Sequence, residues 1–142
     1  MGKINWGRVV LCGLVTGGVY MALSGPILLL ALGETEYMQA LRAARAAARP
    51  GFEPIVLATP LNLVGGIWIM WLYAAIRPRY GPGPKTAALA GFAVWLVLAL
   101  ALVQLAVLLL LPISLGGLAV PLGVALPSFI GGAVVGAWKY QE

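Results

Sequence analysis

The sequence predicts an all-α integral membrane protein with four transmembrane helices and one short interfacial helix on the outer side. Three observations carry this. The 142 residues are 62% hydrophobic and only 9% charged, whereas soluble domains are roughly 25% charged. The charges leave three long uncharged gaps: 25 residues from 9 to 33, 23 from 54 to 76, and 53 from 86 to 138. An ionised side chain at the bilayer centre is costly and a span needs about 20 residues, so the gaps mark where the chain crosses. The longest gap is interrupted by Pro112-Ile113-Ser114-Leu115-Gly116-Gly117, where proline ends one helix and paired glycines permit a tight reversal. A single four-helix membrane domain over 1–142 accounts for the whole chain.

The first span is placed at 6–31. Lys3 and Arg8 ahead of an apolar run resemble a secretory signal, but the run outlasts a signal's apolar core of about 7–15 residues, and Leu11-Cys12 lacks the small residue that precedes a lipoprotein cysteine. Trp6 stands where a myristoylation motif needs Ser or Thr. The outer segment from Gly33 to Pro54 holds a helix over 35–49, with Thr35 as N-cap and Arg49-Pro50-Gly51 as its stop. Tyr37, Ala40, Leu41, Ala44 and Ala48 share one face, and Arg42, Arg45 and Arg49 the neighbouring one. That helix lies flat on a membrane or a partner, or it presents a solvated Arg stripe; the pattern fits both.

The second span is placed at 54–77. The segment after it, Gly81-Pro82-Gly83-Pro84-Lys85-Thr86, looks superficially like a phosphate-binding loop, but it lacks the glycine before the lysine and its two prolines remove backbone donors. It reads as a rigid turn into a third span at 86–111, with Thr86 as a cap. The fourth span is placed at 118–139. Pro26, Pro121 and Pro127 are expected to bend their helices.

With four spans, the termini and the 77–85 segment share one side, bearing Lys3, Arg8, Arg77, Arg79, Lys85 and Lys139; Arg42, Arg45 and Arg49 lie on the other. Six basic residues against three place both termini in the cytoplasm. Trp6, Trp71, Tyr73, Tyr80, Trp138 and Tyr140 fall near the same side, as an aromatic belt would, while Trp68 and Trp95 lie deeper. Arg77, Arg79 and Lys85 form the basic cluster expected to hold an anionic phospholipid headgroup.

Within the spans, Gly13, Gly17, Gly132 and Gly136 form two small-xxx-small pairs that predict tight packing of the first and fourth helices. Chance alone yields roughly two such pairs at this glycine content, so the pattern is weak. Asn62 and Gln104 are the most polar intramembrane side chains, each expected to hydrogen-bond between helices.

The composition restricts the chemistry. There is no Asp and no His, one Cys, and no titratable carboxylate, His or Lys inside a span, Lys139 standing at the very end of the fourth. Proton-coupled transport, including the glutamate-dependent mechanism of small multidrug carriers, is disfavoured. The usual haem, copper, zinc and iron–sulfur ligand sets are not available from this chain alone. Ser24, Ser114, Ser128 and Cys12 have no evident base. The expectation is therefore no enzyme, no cofactor beyond an optional bound phospholipid, and no nucleic-acid partner.

The run Trp71-Leu72-Tyr73-Ala74-Ala75-Ile76-Arg77-Pro78-Arg79-Tyr80-Gly81-Pro82-Gly83-Pro84-Lys85-Thr86-Ala87 resembles a segment of small uncharacterised four-helix membrane proteins of bacteria. Asn5-Trp6-Gly7-Arg8-Val9-Val10-Leu11 and Gly136-Ala137-Trp138-Lys139-Tyr140 are similar too. The resemblance implies a bacterial inner-membrane protein and no particular activity. Such proteins often carry Asn or Glu in the first span, where this chain has Val19-Tyr20-Met21-Ala22. The expected role is a non-catalytic accessory subunit of a larger complex, of the respiratory or photosynthetic kind, partnered by other integral membrane subunits or by itself and by anionic lipids. The alternative is a homo-oligomeric channel or carrier for a small neutral or hydrophobic solute, lined by Asn62, Gln104, Thr16 and Ser128.

Overall fold

The computed structural model describes residues 4–32, 35–47, 54–108 and 114–140. Among these there are five α-helices and no strand: α1 (Trp6–Leu32), α2 (Glu36–Ala47), α3 (Pro54–Tyr80), α4 (Pro84–Leu108) and α5 (Leu115–Lys139). Four of them, all but α2, are long and apolar enough to cross a membrane. They form a ring in which α1 packs on α3 and α5, and α4 packs on α5 and α3. Paired contacts such as Gly13 with Ile67, Gly17 with Leu63, and Thr16 with Gly132 run antiparallel along α1.

Local chemistry sets the helix ends. Asn5 caps α1: its Oδ1 accepts from the Arg8 N–H at 3.1 Å and its carbonyl from the Val9 N–H at 2.9 Å. Gly81 ends α3, donating its N–H to the Arg77 carbonyl at 2.8 Å with a φ of 83° that favours glycine. Gly83, at φ 139°, accepts from the Ala87 N–H, so Pro84 occupies the first helical position of α4. Ser114 caps α5, its Oγ accepting from the Gly117 N–H at 2.9 Å.

Several boundaries depart from the sequence reading. The helix expected over 54–77 runs on through Pro78 to Tyr80, because Gly81, not proline, closes its last turn. The helix expected from 86 starts at Pro84, so Thr86 is inside α4 and does not cap it; its hydroxyl donates back to the Gly81 carbonyl at 2.8 Å. The helix expected over 118–139 starts at Leu115, because Ser114 supplies the cap and places Gly116 and Gly117 within the first turn. The helix expected over 35–49 is described as α2, Glu36–Ala47, with residues 48–49 outside the described residues; Thr35 precedes it, and its carbonyl accepts from the Gln39 N–H, but its hydroxyl is buried without a partner among the described residues. The Arg49-Pro50-Gly51 stop, the end of the third span at 109–111 and the Pro112-Ile113 break lie outside the described residues, as do the side chains of Tyr37, Leu41, Ala44 and Arg45.

The core occupies one half of the bundle, next to the 81–83 turn. Val9 and Cys12 of α1, Ile69, Met70 and Tyr73 of α3, Ala87, Ala90 and Val94 of α4, and Phe129, Ala133 and Ala137 of α5 close it. The small residues explain the tightness. A Cβ on Gly13 would collide with the Ile67 backbone, and one on Gly17 would sit 2.8 Å from the Asn62 carbonyl. From the opposite side, a Cβ on Gly66 would strike the Gly13 carbonyl and the Gly17 nitrogen. Gly66 thus inserts between Gly13 and Gly17. On α5, a Cβ on Gly132 would lie 2.9 Å from the Thr16 carbonyl, and one on Gly136 would overlap the Thr16 hydroxyl.

The first small-residue pair therefore serves the α1–α3 contact and the second the α1–α5 contact; the sequence identified the residues but not this division of partners. Gly65 next door has open space at its Cβ. Gly66→Ala is expected to lower the unfolding midpoint in detergent, by overpacking of about 1–3 kcal/mol, while Gly65→Ala is neutral or slightly stabilising. Equal effects of the two substitutions in a thermal melt would contradict the described register.

Candidate functional site

Among the described residues, two of the cavities between the helices lie in opposite halves of the bundle. The first, of about 630 Å³, opens beside the 81–83 turn and is lined by Tyr73, Arg77, Pro82, Gly83 and Pro84 on one side and by Val134, Ala137, Trp138 and Tyr140 on the other. The second, of about 420 Å³, lies in the other half among Tyr20, Ser24, Asn62, Trp95, Leu98, Pro121 and Phe129.

Aromatic packing frames the first cavity. Tyr73 and Tyr140 are 2% and 3% exposed, and their rings meet edge to face with centroids 5.9 Å apart. They are core residues and not the interfacial anchors that their sequence positions indicated: Tyr73 lies within α3, Tyr140 is the C-cap of α5, and both belong to the buried cluster. Trp6, Tyr80 and Trp138 remain exposed, as a belt requires. The Arg77 guanidinium carbon lies 5.7 Å from the centroid of the Tyr140 ring, within cation–π range. Tyr73 Oη accepts from the Gly83 N–H at 3.3 Å, which ties the turn to the helix.

The basic cluster read from the sequence is split by this geometry. Arg77 lines the cavity and is half-buried, whereas Arg79 and Lys85 are exposed and line neither cavity. Residues 77 and 79 differ by about 200° around a helix, so only one of them faces α5. Tyr73, Tyr140 and Gly83 were not expected at this site. A hint was available in the sequence: Tyr73 lies one helical turn before Arg77, on the same face.

In the second cavity the Trp95 indole N–H donates to the Leu122 carbonyl at 2.9 Å, joining α4 to α5 between Pro121 and Pro127. Tyr20 and Phe129 stack tilted at 4.5 Å. Asn62 lines this cavity and a small neighbouring one, and its carboxamide bonds to none of the described residues. Gln104 is exposed on the outer face of α4 and also has no described partner. The expected interhelical hydrogen bonds of Asn62 and Gln104 are therefore not made within the described chain.

Thr16 and Ser128 are fully buried in helix contacts, the Thr16 hydroxyl donating to the Cys12 carbonyl at 2.9 Å. The structure thus does not bring Asn62, Gln104, Thr16 and Ser128 to one lining. No family model, curated protein or solved structure matches the chain.

An unpaired amide in an apolar cavity costs stability. Asn62→Leu is expected to raise the melting temperature in detergent, by about 1 kcal/mol of stability. A fall would show that the amide holds a partner, such as a bound solute.

Proposed function

We propose that this chain is a multi-pass protein of the bacterial inner membrane, with both termini and the 81–83 turn in the cytoplasm. We further propose that it acts as a non-catalytic subunit that assembles laterally with other membrane chains, copies of itself included. Gln104 is the single observation that carries the assembly reading. It sits among exposed Leu100, Leu105, Val107 and Leu108 on α4. An amide facing lipid has no partner there; a polar group of a second chain satisfies it.

The inventory supports a structural and not a chemical role, with no Asp, no His and one cysteine that is buried in α1. Six basic residues at one end against three at the other support the orientation. A second reading, a carrier for a small neutral or hydrophobic solute, is favoured by the cavity at Asn62 and Tyr20.

Two measurements test these points. With a membrane-impermeant maleimide added outside the cell, Ala43→Cys is expected to react and Pro84→Cys to be protected; the reverse pattern inverts the orientation. Gln104→Leu is expected to weaken self-association or partner retention by between about threefold and twentyfold, the range of interhelical polar contacts in membranes. A wild-type protein that is monomeric and partner-free in mild detergent would remove the subunit reading and leave the carrier.

A further inference from the structure

We infer that the cavity beside the 81–83 turn is a binding site for the phosphate of one anionic phospholipid. Its lining combines the polar side chains of Arg77 and Tyr73 from α3 with the apolar Val134 and Ala137 from α5. A headgroup with attached acyl chains has the same combination. The volume of about 630 Å³ falls within the ~300–1,000 Å³ of pockets that take small ligands.

Tyr73 supplies the decisive detail. A phenol has one proton to donate and two lone pairs to accept. Its oxygen accepts from the Gly83 N–H, but no described residue accepts its proton. The residue is 2% exposed and lines the cavity. A phosphate oxygen is the acceptor that the site lacks.

Arg77 provides the charge. Its guanidinium presents several donors in a plane suited to phosphate oxygens, and the Tyr140 ring beneath it holds that plane near the cavity. The described charged side chains at this end, Arg8, Arg77, Arg79, Lys85 and Lys139, are all cationic. They concentrate anionic lipid at this surface without defining a seat for it. Tyr73, Arg77 and the Val134–Ala137 wall define the seat.

The inference rests on the membrane reading above but not on the identity of any partner chain. Maleimide labelling tests the first; lipid retention tests this one separately. Protein purified in mild detergent and offered equal amounts of phosphatidylglycerol and phosphatidylcholine is examined by native mass spectrometry. Wild type is expected to retain phosphatidylglycerol selectively. Arg77→Gln should cut that retention on the order of tenfold, and Tyr73→Phe, which keeps the ring packed on Tyr140, about threefold. The double variant Arg79→Gln, Lys85→Gln should retain it nearly unchanged.

Loss in the double variant equal to that in Arg77→Gln would overturn the site in favour of diffuse surface attraction. Equal retention of both lipids by wild type would overturn it as well. Inorganic phosphate added alone should not bind; stoichiometric binding of it would overturn the lipid as occupant. Melting curves of each variant accompany the measurement, and the isosteric Tyr73→Phe keeps the inference falsifiable if Arg77→Gln fails to fold.

Discussion

The architecture depends on backbone-to-backbone approach along α1. Gly66 of α3 enters between Gly13 and Gly17, while Gly132 and Gly136 of α5 close on Thr16 from the other flank. Side-chain-free contacts of this kind are what bring helices together where no hydrophobic difference exists between lipid and protein. The approach also forces Thr16 to satisfy its hydroxyl on its own helix, at the Cys12 carbonyl, since no space remains for a partner across the interface. One buried hydroxyl is thereby settled by geometry that glycine alone permits.

From that contact the bundle divides into unlike halves. Toward the 81–83 turn, small residues pack the interior and the Tyr73–Tyr140 pair borders the first cavity. Toward the other end, Pro26, Pro60, Pro121 and Pro127 fall within the helices, and each removes a backbone N–H that would have supported its own turn. The second cavity forms there. Trp95 spans the loosened region with one hydrogen bond to the Leu122 carbonyl. The distribution of polar groups follows the division: hydroxyls in the packed half are enclosed, whereas the Asn62 and Gln104 amides remain without described partners.

Those unpaired groups motivate the proposed roles. An outward amide on an apolar helix calls for a second chain, and an inward phenol with an unspent proton calls for an anionic oxygen. Neither idea requires catalytic groups, which suits a chain without Asp or His. The two are also separable in space, since α4 carries the first and the ends of α3 and α5 carry the second.

The sequence by itself determined the number and approximate extent of the long helices, because charge gaps and hydropathy act residue by residue and need no partner. It also singled out Gly13, Gly17, Gly132 and Gly136, at each of which an added Cβ would meet a neighbouring helix. Tertiary structure alone decided what each of these faces. Gly66 escaped notice because it is a single glycine on α3 that meets a pair on α1, and a spacing rule within one helix does not register it. Arg77 was separated from Arg79 and Lys85, and Tyr73 and Tyr140 were turned from belt to core, by the rotation of α3 against α5. That rotation is set by contacts between residues more than sixty positions apart, and such contacts leave no periodicity in the sequence.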